Sequence, residues 1–472
     1  MTQTLKAVKA DLPIEVPQQL RQAELLRLER KPDEALIMCI KYMNENFDSV
    51  PALTLAAHIM IDCQRYGLAH PLLAHAATLL PHSSLIWNNL GLCYFESAHD
   101  VEEAEKCYIK SLARNPNDAN TLNNIGQLYT WMGQPQKAVN CIDKAIRINP
   151  KLPEARYNKG VAQLMMRQWK EGWEGYEYNL GQHLARCERV FGRIPRWMGD
   201  NGLTVIAYGE QGVGDEISFA SCIPDLQKNN KVVIECDKRL AGLFRRSFNC
   251  EVYGTRYNKQ VEWPNSVGAD AMVAMGSLPR FFRNSDEDFK GEPYLVADPQ
   301  RRIMWRSMLD ALGPKLKVGI SWTGGIRKTG ERYRSLKLKD LEPIWRQDAT
   351  FISLQYKDAP ETAQLEQDTG IKIHHWAHAT QTQDMDDQAS LMAELDLVIT
   401  VQQTAVHIGG GLGVPTWVMI PKWPIWRYGL TGSDFPWAKS VKLYRQKTEW
   451  AHTIAEIATD LRAKILERAK NA

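Results

Sequence analysis

Two patterns of apolar and polar positions divide the 472-residue chain. Up to about residue 180, small residues recur in a fixed register. Ala23, Ala57, Gly91, Gly126 and Gly160 stand 34, 34, 35 and 34 residues apart, and Ala35, Ala69, Ala104, Ala138 and Gly172 repeat in step with them. Pro81, Pro116 and Pro150 close three of the periods. This predicts stacked helix pairs that approach closely at the small positions, with proline ending each second helix. One pair cannot bury its apolar face alone, so the stack shares a core and leaves a concave surface of the kind that holds a peptide or protein. About five units are expected over 1–180. Those at 16–49 and 50–83 keep the alanines without the aromatic positions, and the last loses the pattern after Trp169 and reads as a cap.

From residue 200 short continuous apolar runs alternate with helical stretches: 205–208, 232–236, 251–253, 271–275, 318–322, 351–355, 371–374, 397–401, 417–420 and 441–443. Runs without alternation predict strands buried on both faces, in mainly parallel sheets. Gly313-Pro314 marks a hinge between two Rossmann-like halves, 200–313 and 314–472. Ile454, Ile457, Ala458, Leu461 and Ile465 have the spacing of a closing amphipathic helix. Between array and sheets, 181–199 carries Arg186, Arg189, Arg193 and Arg196 and reads as a solvated basic linker, with Arg193 and Arg196 the candidates to reach a cleft. The expected fold class is α + α/β.

Ligand sites in parallel sheets lie at the carboxyl ends of the strands, and three glycine turns fall there. The first, LTVIAYGEQGVGDEISF from Leu203, reads as strand, turn and helix start. Gly212 and Gly214 permit close backbone approach, the helix start offers unpaired N–H groups, and Asp215 stands at the corner. The second is Thr323-Gly324-Gly325, followed by Arg327, Lys328, Arg332 and Arg334-Ser335, cations suited to a diphosphate. The third runs from Gln402-Gln403-Thr404 to His407, before Gly409-Gly410-Gly411 and Gly413-Val414-Pro415. There Thr404 and the following N–H groups can hold phosphate oxygens.

Composition narrows the picture. A formal charge of +3 is too small to argue for nucleic acid or an anionic membrane. No apolar run is long enough to span a bilayer, and the N-terminus lacks the apolar stretch of a secretory signal. The nine cysteines contain no CxxC pair, which fits a reducing compartment, so a cytoplasmic protein is expected. His374, His375 and His378 have no acidic partner at a clear spacing, so no metal site is expected there.

The unit with Trp87, Leu90, Gly91, Tyr94, Ala104, Tyr108 and Pro116 resembles the tetratricopeptide repeat (TPR), as does the next with Leu122, Ile125, Gly126, Tyr129, Ala138, Ile142, Ala145 and Pro150. The α/β part resembles the bacterial TPR glycosyltransferases of GT-B fold. The matching residues include Glu210-Gln211-Gly212, Gly214-Asp215, Gly319-Ile320-Ser321-Trp322, Gly324, Arg334-Ser335, Ser353-Leu354-Gln355, His407, Trp426-Arg427-Tyr428, Pro436-Trp437 and Tyr444-Arg445-Gln446. The C-terminal half is also similar to the heptosyltransferases of lipopolysaccharide synthesis, and the overall plan resembles the O-GlcNAc transferases in architecture.

The resemblance implies a metal-independent glycosyltransferase that needs no cofactor beyond its nucleotide-sugar donor. The donor binds the second half, and the sugar passes to a protein or glycan acceptor held by the repeats or the first half. Asp215 is implied as general base, with Glu210 as its rival. Gly324, Arg334, Thr404 and His407 are implied to stabilise the leaving diphosphate, and Gln355 and Tyr356 to border the base. Trp423, Trp426 and Trp437 are expected as sugar-stacking walls. One departure stands out: many relatives carry Asp-Thr where this chain has Gln402-Gln403. Glutamine, at Gln402 or Gln403, can still hydrogen-bond a donor hydroxyl or phosphate, but the change keeps open a non-catalytic interaction protein. Homo-oligomerisation is also open.

Overall fold

The computed structural model describes residues 16–98, 100–181, 186–325, 331–356, 360–380 and 384–471. Arg327 and Lys328 lie outside the described residues. The chain forms two compact units, Met1–Ala162 and Gln163–Ala472.

The first unit is a solenoid of helix pairs. Arg21–Leu28 precedes Pro32–Glu45, Val50–Asp62 precedes Tyr66–Leu79, Ser84–Cys93 precedes Val101–Arg114, and Ala119–Trp131 precedes Pro135–Ile148. Ser49, Ser83, Asp100 and Asp118 cap four of these helices with their side-chain oxygens. The small positions sit where helices touch. A Cβ added at Gly91 would lie 2.8 Å from the Tyr108 ring, and one at Gly126 would lie 2.4 Å from Ile142 Cγ1. Amides link the first helices of successive pairs: Asn124 Nδ2 donates to Asn88 Oδ1 at 3.0 Å and Asn158 Nδ2 to Asn123 Oδ1 at 3.0 Å. Asn89 pairs with His58 at 2.6 Å. Burial pushes His58 below the ordinary imidazole value, which leaves its ring neutral and able to accept.

The second unit starts earlier than the repeat period suggests, at Gln163 and not near residue 180. Its helix Trp169–Tyr176 supplies Trp169, Trp173 and Tyr176 to an aromatic cluster with Phe219, Phe289, Trp426 and Trp437. Trp173 Nε1 donates to the Arg283 carbonyl at 2.7 Å. Packing against the α/β core thus outweighs repeat register in this last pair.

Among the described residues ten strands follow, all parallel in pairing: β1 (Thr204–Tyr208), β2 (Lys231–Glu235), β3 (Glu251–Tyr253), β4 (Ala271–Ala274), β5 (Lys317–Ile320), β6 (Thr350–Ser353), β7 (Ile373–His374), β8 (Leu397–Val401), β9 (Thr416–Ile420) and β10 (Val441–Arg445). They form two sheets, in the orders β3-β2-β1-β4 and β10-β9-β8-β5-β6-β7. Counted from β5, the second sheet has the doubly wound order 3-2-1-4-5-6 of dinucleotide-binding folds. Strand order reverses between β1 and β4 in one sheet and between β5 and β8 in the other. The helix Trp450–Asn471 closes the second sheet, burying Ile454, Ile457, Ala458 and Leu461 against a core that includes Val318, Ile320 and Ile399.

The expected basic linker is not solvated. Arg186 is fully buried, with Nε 3.0 Å from Glu210 Oε1 and Nη2 2.7 Å from Ser277 Oγ. Arg189 forks onto the Glu235 carboxylate at 2.6 and 2.8 Å. Trp197 N donates to the Met272 carbonyl at 2.7 Å. The arginines answer buried carboxylates at strand ends, a pairing invisible in a count of local charge. Arg193 and Arg196 are exposed, and Arg196 pairs with Glu188.

Candidate functional site

Two of the three predicted corners belong to the second sheet and one to the first, and all lie at points where strand order reverses. Such points open a crevice because the connections leave in opposite directions. After β1, Gly212 opens the helix Val213–Ala220. After β8, Gln403 precedes the helix Thr404–Leu412. Neither helix start is capped by a side chain. The two starts meet: a Cβ on Gly214 would lie 3.3 Å from the His407 ring and 3.4 Å from Thr404 Oγ1. Gly214 thus lets the other helix start pass close beside it. At Gly324 a side chain is excluded, since its Cβ would come within 2.6 Å of the Gln402 carbonyl oxygen.

Asp215 is 34% exposed, and its Oδ1 accepts from Arg427 Nη2 at 2.8 Å. Arg427 is only 6% exposed, with its guanidinium against the rings of Trp426, Phe219 and Trp437 at 4.8, 5.2 and 5.9 Å. Arg334 is buried too, and its Nη1 lies 3.4 Å from the Gln402 carbonyl. Burial lowers the Arg334 pKa, while Tyr428 and Asp215 act against that shift. Burial pushes His407 well below the ordinary imidazole value, and the Arg427 charge pushes the same way, so its ring is neutral at pH 7. The structure thus brings Asp215, Thr404, His407, Arg334 and the Gly324 turn around one crevice.

Other predicted residues are placed differently. Glu210 does not stand as a rival base. Its carboxylate is buried and accepts from Arg186 Nε, from Gln211 Nε2 at 3.0 Å and from Gly276 N at 3.2 Å. Gln355 is buried at the end of β6, where its Oε1 accepts from the backbone N–H groups of Trp322 and Thr323. Tyr356 hydroxyl donates to the Gly325 carbonyl at 2.9 Å. Gln403 turns its amide inward onto the hydroxyls of Ser321 and Thr400. Trp426 and Trp437 are buried packing residues, not sugar-stacking walls, whereas Trp423 stays half-buried with Tyr333 edge-on at 5.3 Å. Among the described residues no three His, Cys, Asp or Glu side chains gather as a metal site.

Sequence reasoning gave Arg427 no role of its own and named Gln402 only as part of the Gln402-Gln403 departure. Arg427 lay inside a matched Trp-Arg-Tyr triplet, where a single cation among aromatic residues was the available signal. Gln402 is 1% exposed, and both polar atoms of its side chain lack a hydrogen-bond partner among the described residues. A buried primary amide left unpaired costs roughly 1–3 kcal/mol, so a bound molecule or water is the expected complement.

Residues 83–151 match the tetratricopeptide repeat family, and the chain carries such repeats. Along most of its length the chain is similar to protein FlbA of Caulobacter vibrioides, with 28% identity over 447 residues covering 88% of this chain and 73% of that protein. A peroxisomal targeting signal receptor of Candida albicans is 25% identical over 183 residues, covering 34% of this chain and 31% of the receptor. Among solved structures, two that match each cover about a third of this chain. MamA is 20% identical over 33% of this chain and 91% of its own, with a TM-score of 0.30. A thermophilic TPR protein of Thermus thermophilus is 20% identical over 35% of this chain and 90% of its own, with a TM-score of 0.31. No helix among the described residues is long and apolar enough to cross a membrane.

Proposed function

We propose that the α/β unit is a glycosyltransferase of GT-B type that uses a nucleoside-diphosphate sugar without a metal. The observation that carries this reading is the meeting of two switch-point helix starts, Gly214 on one side and Thr404 with His407 on the other. Each corner alone is common in α/β proteins. Two facing corners, one bearing a carboxylate and the other an open helix start beside the buried Arg334, suit an acceptor hydroxyl on one side and a diphosphate on the other.

The acceptor oxygen attacks the anomeric carbon and forms the new glycosidic bond. The bond from that carbon to the diphosphate oxygen breaks, and its electron pair leaves with the nucleoside diphosphate. The acceptor proton passes to Asp215. Arg334 and the N–H groups at the start of the Thr404–Leu412 helix stabilise the charge growing on the leaving diphosphate. Neutral His407 donates or accepts one hydrogen bond there and adds no charge. The repeats recruit the acceptor, and a protein is favoured because TPR arrays bind peptides and proteins along their concave surface.

A second reading, a non-catalytic interaction protein, draws on one observation. Gln403 stands where many relatives carry Thr, and its amide is committed to Ser321 and Thr400. Release of nucleoside diphosphate from a panel of nucleoside-diphosphate sugars, with water standing in for the acceptor, separates the two. Glycosyl transfer predicts release from one donor, falling at least ~100-fold in Asp215→Asn. No release from any donor favours the interaction protein.

A further inference from the structure

We infer that Arg427 is a diphosphate-binding residue of the crevice, and that Asp215 fills its place until a diphosphate arrives; this rests on the glycosyl-transfer reading above. A guanidinium carries five N–H donors and is costly to bury unless they are used. Among the described residues, the Asp215 carboxylate is the single hydrogen-bond acceptor of Arg427, and its buried Nε has no partner. The aromatic rings of Phe219, Trp426 and Trp437 hold the cation by their faces and offer no acceptor to its Nε. Buried arginine edges of this kind match the paired oxygens of a phosphate.

The surroundings favour an anion larger than one carboxylate. Arg334 senses the Asp215 charge, and Arg427 and Arg334 both act on Tyr428, so both guanidiniums share the crevice with Asp215. His407 lies close enough for Arg427 to affect it and is itself neutral. Gln402, with its unpaired amide, adds further donor and acceptor atoms. A diphosphate seated on Arg427 displaces the Asp215 carboxylate. The base is then free for the acceptor proton only when the donor is in place, which couples donor binding to activation of Asp215.

The test is calorimetric titration of the full chain with UDP, GDP, ADP and CDP in EDTA, on wild type, Asp215→Asn, Arg427→Lys, Arg427→Ala and the Asp215→Asn/Arg427→Ala pair. Asp215→Asn is expected to bind the preferred nucleotide about fivefold more tightly, the measure of one partly exposed ion pair removed from competition. Both Arg427 variants are expected to bind at least ~10-fold more weakly, lysine included because it lacks the forked donor edge. In the Arg427→Ala background, Asp215→Asn is expected to change nothing further. Wild-type binding with no tightening in Asp215→Asn, or with undiminished affinity in Arg427→Lys, overturns the inference and leaves the transferase reading standing. No binding to wild type overturns both. Should Arg427→Ala fail to fold, Asp215→Asn and Arg427→Lys decide the matter.

Discussion

Asp215 and Arg427 stand 212 positions apart in sequence, yet Arg427 Nη2 donates to Asp215 Oδ1 at 2.8 Å. One residue belongs to the helix after the first strand of the first sheet, the other to the short 3-10 helix Trp426–Tyr428 after β9 of the second. Their contact ties the two sheets at the crevice. It also separates two carboxylates that sequence left as rivals, because Glu210 is spoken for by Arg186 and Asp215 remains one third exposed.

That separation predicts opposite phenotypes. Asp215→Asn is expected to lose at least ~100-fold in turnover with a thermal loss smaller than that of Glu210→Gln, because the asparagine keeps an acceptor oxygen for Arg427 at a partly exposed position. Glu210→Gln leaves Arg186 buried without its full counter-charge and is expected to lose ~3–5 kcal/mol of stability. Parallel thermal melts and turnover assays check both. Equal thermal losses in the two variants would contradict the assignment.

The repeat core gives a prediction whose sign depends on space. Replacing a helical glycine by alanine gains up to ~1 kcal/mol in helix propensity. At Gly126 the added methyl meets Ile142 Cγ1 at 2.4 Å, near the stem of a branched side chain, so overpacking of ~1–3 kcal/mol wins and Gly126→Ala destabilises. At Gly67 nothing lies within 4 Å, so Gly67→Ala stabilises slightly. Denaturant melts followed by circular dichroism test the contrast.

Glu216 supplies a pH prediction. Burial raises its carboxyl to about 7 from the ordinary value of 4.5, against the pull of Arg256 and the Asp237 N–H. A folded value above the unfolded one means that its contribution is fully present below pH 4.5 and is lost as pH rises through about 7. Glu216→Gln carries no such titration. Its stability relative to wild type is therefore expected to rise between pH 4.5 and 7, by on the order of 3 kcal/mol at most. Melting temperatures of both proteins across that range read the difference. A pH-independent difference would remove Glu216 as the cause.

Much of the architecture was legible in local pattern. The glycine and alanine period marked the helix contacts at Gly91 and Gly126, and each apolar run from residue 205 onward overlaps a strand of the structure. These features depend on neighbours a few residues away, which a linear pattern records. The partners of Arg186, the inward turn of Gln403 and the burial of Trp426 and Trp437 depend on residues far along the chain. A run of arginines reads as a solvated segment until the strand-end carboxylates Glu210 and Glu235 are seen beside it. Arg427 was hidden for the same reason: its chemistry comes from Asp215, on the helix that follows a strand of the other sheet.

The most direct measurement is a thermal-shift titration with nucleoside diphosphates and their sugars in EDTA, on wild type and on Arg334→Ala with His407→Ala. A ligand that binds only the folded chain raises the melting temperature with concentration. One base is expected to do so, and the shift is expected to vanish in the double variant. A well-folded wild type whose melting temperature no nucleotide moves would contradict a donor site in this crevice and leave the chain as a repeat protein that binds partners.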